Sequence, residues 1–292
     1  MKSRLACYPC MLKQGLAALR LSTPDPALQK RGLEEIMRRL QGADLERSPS
    51  FVSRICYDVA REVTGVADPF AAAKRETNRL ALSLLPAMRR KIASAPDPLH
   101  MAIKVALSGN VIDLGIGHAY DLERDATRIT DGPITLDHYE DFVKLLKQCR
   151  RLLYICDNAG EIAFDGLLIE QLKPRCEVTA SVKSGPIIND ATMEDARAVG
   201  LAGLVRVIET GSDHIGVEWE HTSAEFREAF TSADLILAKG HGNFETLNER
   251  PEEIFFLLKA KCSEVAAEIG VKNGDTVFLR GRSRKQNAER RI

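Results

Sequence analysis

The feature that most constrains this chain lies at 152–156, where Leu152-Leu153-Tyr154-Ile155-Cys156 runs apolar without a break and stops on Asp157-Asn158-Ala159-Gly160. A strand with one face in water alternates apolar and polar residues. A short unbroken run bounded by turn residues is the pattern of a strand covered on both faces. Beyond it the chain keeps a strand-and-helix rhythm: a helix at about Glu161 to Leu172, a strand at Glu177 to Val182, the loop 183–190, then another helix. Further strands are predicted at Val205 to Ile208 and Asp234 to Ala238. Strands alternating with short helices imply an α/β fold with a parallel sheet and right-handed crossovers. Ligands of such open sheets bind outside the carboxyl ends of the strands, which is where the Asp, Asn, Lys and Gly residues of this chain gather.

Before Arg150 the period is helical. Leu12, Leu16 and Leu19 share one face, as do Leu33, Ile36, Met37 and Leu40, and then Phe51, Val52, Ile55 and Val59. Ser22, Thr23 and Asp25 before Pro26 mark the first break, and Asp68-Pro69 opens a long amphipathic segment that Pro96-Asp97-Pro98 stops. The 292 residues suit two domains, read as a helical one over 1–148 and an α/β one over 149–292. The basic, polar stretch from Arg280 to Ile292 is expected to be a frayed tail.

Forty-one Lys and Arg balance 41 Asp and Glu, so the basic excess with which proteins track nucleic-acid phosphates is missing. Hydrophobic residues at 45% and charged ones at 28% are ordinary for a globular chain. The apolar run behind Met1-Lys2-Ser3-Arg4 is broken by Pro9 and Lys13, which argues against a signal peptide, and no later stretch has the length of a membrane span. Seven scattered cysteines, an odd number, do not resemble a secreted disulfide framework, so a cytoplasmic setting is expected.

Three constellations could carry chemistry. Asp157-Asn158-Ala159-Gly160-Glu161 offers hard oxygen ligands at a strand end with a helix start behind them, suited to a metal beside a phosphate, or else forms an Asx-type turn. Lys183-Ser184-Gly185-Pro186 with Asn189-Asp190 repeats that logic on the next strand, with a plain helix cap as the alternative. Lys239-Gly240-His241-Gly242-Asn243-Phe244-Glu245 resembles a tight backbone loop for an anion, with Lys239 either a point charge for phosphate or a solvated lysine. Its glycine spacing is not that of a dinucleotide fingerprint, and no P-loop or nucleophile elbow is present. In the helical half, Ser108-Gly109-Asn110-Val111-Ile112-Asp113 is either a helix C-cap and turn or a lid over the site. Cys7-Tyr8-Pro9-Cys10 is half a zinc site by spacing, but it lacks a second pair and would need distant partners such as Cys56. Ordinary buried cysteines are the plainer reading.

Taken in order, these three constellations resemble the metal-dependent damage-control phosphatases, formerly a domain of unknown function. Cys7-Tyr8-Pro9-Cys10, Asp68-Pro69-Phe70, Asn78-Arg79-Leu80-Ala81, Ser108 to Asp113, and Ile254 to Cys262 are similar to the prokaryotic stand-alone branch. The resemblance implies an all-α N-terminal domain before a Rossmann-like three-layer α/β/α domain with a mainly parallel sheet. It also implies hydrolysis of phosphate monoesters of small metabolites, such as sugar phosphates or damaged phospho-metabolites. The metal ligands it carries over are Asp157, Asn158 and Asp190, with Asp157 and Asp190 catalytic, for Mg²⁺, Mn²⁺, Co²⁺ or Ni²⁺. Lys239 matches the lysine that contacts the substrate phosphate. Lys183, Ser184, Asn110 and Asn243 are the other expected substrate contacts, and His241, standing where a variable or amide residue is expected, receives no role. A metal-held water is the expected nucleophile, since Asp157 is already needed as a ligand. A non-catalytic protein that binds a phospho-metabolite or nucleotide is the alternative. A methyltransferase is disfavoured, because no glycine-rich loop follows the first strand with an acidic residue ending the second.

Overall fold

The computed structural model describes residues 1–109 and 130–281. Five helices come first: α1 (Cys7–Ser22), α2 (Pro26–Leu40), α3 (Pro49–Thr64), α4 (Ala71–Ser94) and α5 (Pro98–Gly109). Asp25 and Ser48 cap the starts of α2 and α3, accepting from the backbone N–H groups of Ala27 and Phe51, with a proline at the first turn of each. The described remainder holds β1 (Leu136–Asp137), α6 (Tyr139–Leu146), β2 (Arg151–Ile155), α7 (Glu161–Leu172), β3 (Glu177–Val182), α8 (Met193–Ala198), α9 (Leu201–Leu204) and β4 (Arg206–Glu209). After these come α10 (Ala224–Ser232), β5 (Leu235–Lys239), α11 (Gly240–Leu247), β6 (Ile254–Lys259), α12 (Ser263–Ile269) and β7 (Thr276–Arg280).

The seven strands form one sheet in the order β1-β7-β6-β5-β2-β3-β4. All neighbouring pairs are parallel except β6 with β7. The fold is therefore mixed α/β with a mostly parallel sheet. Three strands lie outside the expected set. Ile254–Lys259 reads Ile-Phe-Phe-Leu-Leu-Lys, the same unbroken apolar pattern as β2, and could have been found by it. Thr276–Arg280 pairs antiparallel to it, and Arg280, expected in a frayed tail, ends that strand with its guanidinium on Glu253 at 2.6 Å. Leu136–Asp137 is too short to have a period.

The apolar run of β2 has the predicted cause. Leu152, Tyr154 and Cys156 face a core shared with α4, α5, α6 and α7, while Leu153 and Ile155 face another shared with Phe226 and Phe230 of α10, Phe244 of α11 and Val265 of α12. Helices α1 to α3 build a third cluster around Leu19, Ile36, Cys56 and Val59. Helices α4 and α5 thus belong to the sheet's own core, although they precede it in the chain.

Ionic clamps hold α3 against the sheet's rim. Asp213, beyond β4, accepts from Arg54 at 2.7 Å and from Arg61 at 3.2 Å. Partial burial pushes its carboxyl up, but the two guanidinium groups outweigh burial and hold its pKa at about 2. A carboxyl depressed on folding contributes stability that is complete above its unfolded value, about 3.9, and is lost as pH falls towards the folded one. Asp213→Asn should lower unfolding free energy by about 1 kcal/mol near neutral pH. That deficit should shrink as the pH of urea titrations is lowered from about 4 towards 2.

Candidate active site

The loops after β2 and β3 are stitched together by backbone. The Ala191 N–H donates to the Asp157 carbonyl at 2.8 Å, the Ala159 N–H to the Asn189 carbonyl at 2.8 Å, and Asn158 and Asp190 pair as an isolated antiparallel bridge. Asp157, Asn158 and Asp190, 33 residues apart at the extremes of the set, are thereby brought to one place at the carboxyl ends of adjacent strands. The Asn158 amide donates to Asp157 Oδ2 at 2.8 Å and to Glu161 Oε2 at 3.2 Å. Gly240, the first residue of α11, closes the other side. Its φ is 81°, and a Cβ there would lie 1.9 Å from Asp157 Oδ2, so only glycine fits.

The electrostatics of this place are unbalanced towards acid. Burial, and then the charges of Glu161 and Asp190, push the Asp157 carboxyl well above the ordinary carboxylate range. Asp190 is 1% exposed, and burial raises it too, against the opposing pull of Lys183 Nζ 3.6 Å away. Neither Asp190 oxygen has a hydrogen-bond partner among the described residues. A buried carboxylate in that condition is costly unless a cation completes it. Two carboxylates with an amide oxygen in reach form a hard-oxygen set suited to a divalent metal. Among the described residues no group of three His, Cys, Asp or Glu side chains is arranged to hold one. A metal at this place would therefore rely on the amide of Asn158 and on water or substrate for its remaining positions.

Lys239 departs from the expected role. Its side chain is fully buried and its Nζ donates to the Ala106 carbonyl at 3.0 Å, to Asp165 Oδ1 at 2.8 Å and to Glu161 Oε1. An ammonium has three donors, and all three are taken, leaving none for a phosphate. Burial alone would lower its pKa, yet the Asp165 and Glu161 carboxylates outweigh burial and hold it above the ordinary lysine value. Tyr154 Oη adds a 2.7 Å hydrogen bond to Asp165 Oδ1, which burial pushes up. Lys239 is thus a buried counter-charge between β5, α5 and α7.

The other expected contacts fall in different places. Lys183 is buried, donating to the Gly216 carbonyl beside Asp190. Ser184 is exposed and its Oγ accepts from the Gly211 N–H at 2.7 Å, which ties two loops together. Asn243 is buried and donates to the carbonyls of Cys156 at 3.1 Å and Lys239 at 2.7 Å, pinning the start of α11 to the end of β2. Asn110 lies outside the described residues. Cys7 and Cys10 are not buried core cysteines: one is half-buried and the other exposed. Cys56 is the buried one, its thiol on the Met11 carbonyl at 3.4 Å and pushed by burial to about 12.

Above the acidic place opens a cavity of about 420 Å³. Asp157, Asn158 and Asn189 form its floor, and Gln14 and Tyr57 belong to the wall made by α1 and α3. Cys7, Cys10, His241, Glu245, Lys261 and Cys262 also line it. Lys183, Ser184, Asp190, Lys239 and Asn243 do not. Sequence reasoning passed over Glu245, whose Oε2 accepts from the Ser50 N–H at 2.9 Å and Ser50 Oγ at 2.6 Å. It stands one helical turn beyond His241 in the third constellation, and that spacing was the available signal. His241 itself reaches the cavity. Burial, with Lys261 nearby, lowers its pKa to about 4, so it is neutral near pH 7 and its Nε2 accepts from the Lys261 N–H at 2.9 Å.

Fold and site together define an α/β protein with an acidic pocket at the carboxyl edge of a mostly parallel sheet, and similarity to known proteins gives it a family. The damage-control phosphatase ARMT1-like domain matches residues 4–277, and the chain belongs to that family. It is 36% identical to the damage-control phosphatase PH1575 of Pyrococcus horikoshii over 97% of this chain and 99% of that protein. It is 35% identical to a damage-control phosphatase of Archaeoglobus fulgidus over 95% of this chain and 98% of the relative. The crystal structure of the P. horikoshii protein superposes with a TM-score of 0.90, covering 97% of this chain and 100% of that one.

The buried lysine gives a sharp test. Lys239→Met keeps much of the volume but leaves Glu161 and Asp165 unpaired, so it should destabilise the fold by about 3–5 kcal/mol. Urea denaturation followed by circular dichroism measures this, and an unchanged midpoint would refute the structural role.

Proposed function

We propose that the protein is a metal-dependent phosphatase of small phosphate monoesters, sugar phosphates or damaged phospho-metabolites among them. The observation that carries this reading is Asp190: a buried carboxylate with no hydrogen-bond partner among the described residues, bridged through backbone to Asn158 beneath a cavity that Asp157 enters. Asp157, Asn158 and Asp190 would hold Mg²⁺, Mn²⁺, Co²⁺ or Ni²⁺, and oxygen donors suit all four. When bound, such a cation supplies Lewis-acid polarisation of a phosphoryl oxygen.

The protein's own groups do the rest. Asn158 is oriented by Asp157 and Glu161, and Gly240 leaves room for the Asp157 carboxylate against the start of α11, whose positive end favours negative charge there. Lys183 offsets the charge of Asp190, and Lys239 offsets those of Glu161 and Asp165, both from within the fold. Among the cavity-lining groups, Lys261 is the ammonium and neutral His241 a polar wall. A cavity of about 420 Å³ suits a small metabolite. The Rossmann-like layering with a helical domain before it, and a cytoplasmic setting, belong to the same reading.

Asp190→Asn should weaken Mn²⁺ binding, read by isothermal titration, and lower turnover of an aryl phosphate by about a hundredfold or more. Wild-type protein that binds Mn²⁺ and a sugar phosphate but turns over no phosphate ester across the four metals would instead be a binding protein.

A further inference from the structure

We infer that Asn78, on α4, is a positioning residue that sets the spacing between the loop bearing Asp157 and Asn158 and the loop bearing Asp190; the inference rests on the phosphatase reading above.

Asn78 is 5% exposed and lies within α4, where asparagine is a weak helix former. Its Oδ1 accepts from the Gly160 N–H at 2.6 Å, and its Nδ2 donates to Asp195 Oδ1 at 2.8 Å. The orientation of the amide is settled by chemistry, since a backbone N–H only donates and a carboxylate only accepts. Gly160 stands two residues beyond Asn158. On the other side, Asp195 Oδ2 accepts from the Thr192 N–H at 2.9 Å and Thr192 Oγ1 at 2.8 Å, and Thr192 stands two residues beyond Asp190. One amide therefore joins both loops, directly at Gly160 and through the Asp195 carboxylate at Thr192.

The surroundings hold that amide in place. Gly160 has φ 75°, and a Cβ on it would come within 3.0 Å of Thr77, so α4 presses directly against this turn. Lys74, one helical turn before Asn78, lies 3.0 Å from Asp68 and 3.7 Å from Asp195, which keeps the buried Asp195 carboxylate compensated. Neither aspartate nor leucine can replace asparagine here, because the position must accept on one side and donate on the other. Groups that orient ligands from outside the coordination sphere alter metal affinity without touching the metal.

The test compares a single variant with a swapped pair. In Asn78→Asp the Gly160 acceptor is kept but the donor to Asp195 is lost, and Mn²⁺ affinity measured by titration calorimetry should fall about tenfold. Hydrogen exchange at the Thr192 amide, which the Asp195 carboxylate holds, should accelerate, with or without metal. Adding Asp195→Asn restores a donor facing the new carboxylate at position 78, while the amide oxygen at position 195 still accepts from Thr192. Mn²⁺ affinity should then return to within about threefold of wild type. A folded Asn78→Asp protein with wild-type Mn²⁺ affinity and unchanged Thr192 exchange would overturn the inference. So would a swapped pair no better than the single variant. Wild-type protein that binds no Mn²⁺ would bring down the phosphatase reading itself, a distinct failure that unaltered Thr192 exchange in the variant does not produce.

Discussion

The ion pairs of Lys239 with Glu161 and Asp165 are the interaction on which the site depends. They sit at the point where β5 ends, α11 begins and α5 crosses over α7, and none of the three side chains reaches solvent. A lysine with all three donors satisfied holds the first turn of α7 rigidly, and that turn carries the Glu161 that orients Asn158. The same pairs leave the neighbourhood acidic. Among the described residues, Glu161 and Asp165 pair with Lys239 and Asp190 with Lys183, and Asp157 adds a fourth carboxylate. Such an excess is tolerable in a buried place when a divalent cation or protons offset it.

The helical segments that precede the sheet complete the site in two ways. Helices α1 and α3 provide one wall of the cavity, and Arg54 and Arg61 anchor α3 to Asp213 across the rim. Helix α4 reaches under the floor, where Asn78 touches one site loop and Lys74 and Asn78 together touch the residue that caps the helix after the other. A sheet edge alone would present two mobile loops, and packing against preceding helices converts them into a fixed floor.

Much of the architecture was legible because buried strands announce themselves. The apolar runs of β2, β3 and β5 and the helical periods before Arg150 follow directly from which faces must leave water, and the structure places the three strands within a residue of expectation. The strand Ile254–Lys259 carried the same signal. β7 and the two-residue β1 did not, because only the middle of β7 is buried and β1 is too short to show a period. At the site, the grouping of Asp157, Asn158 and Asp190 was readable from strand ends. The burial of Lys239 and the Asn243 pin were not, since a sequence shows that a residue is charged or polar but not which neighbours have surrounded it.

By itself the sequence determined a mixed α/β chain with a mostly parallel sheet and a helical beginning, and the acidic and amide residues at its strand ends. Those properties are local, set by period, by chain breaks and by what apolar side chains require. Only the tertiary structure decided which charges would be active and which would neutralise one another. Lys239 looked like a phosphate ligand while its neighbours in sequence were considered, yet Glu161, Asp165 and the Ala106 carbonyl reach it from α7 and α5 and take every proton it can donate. Asp190, an ordinary helix-cap candidate in the sequence, is left buried by the same packing with no hydrogen-bond partner among the described residues. Desolvation depends on all the elements that converge on a group, and that convergence is written in long-range contacts rather than in any short stretch of chain.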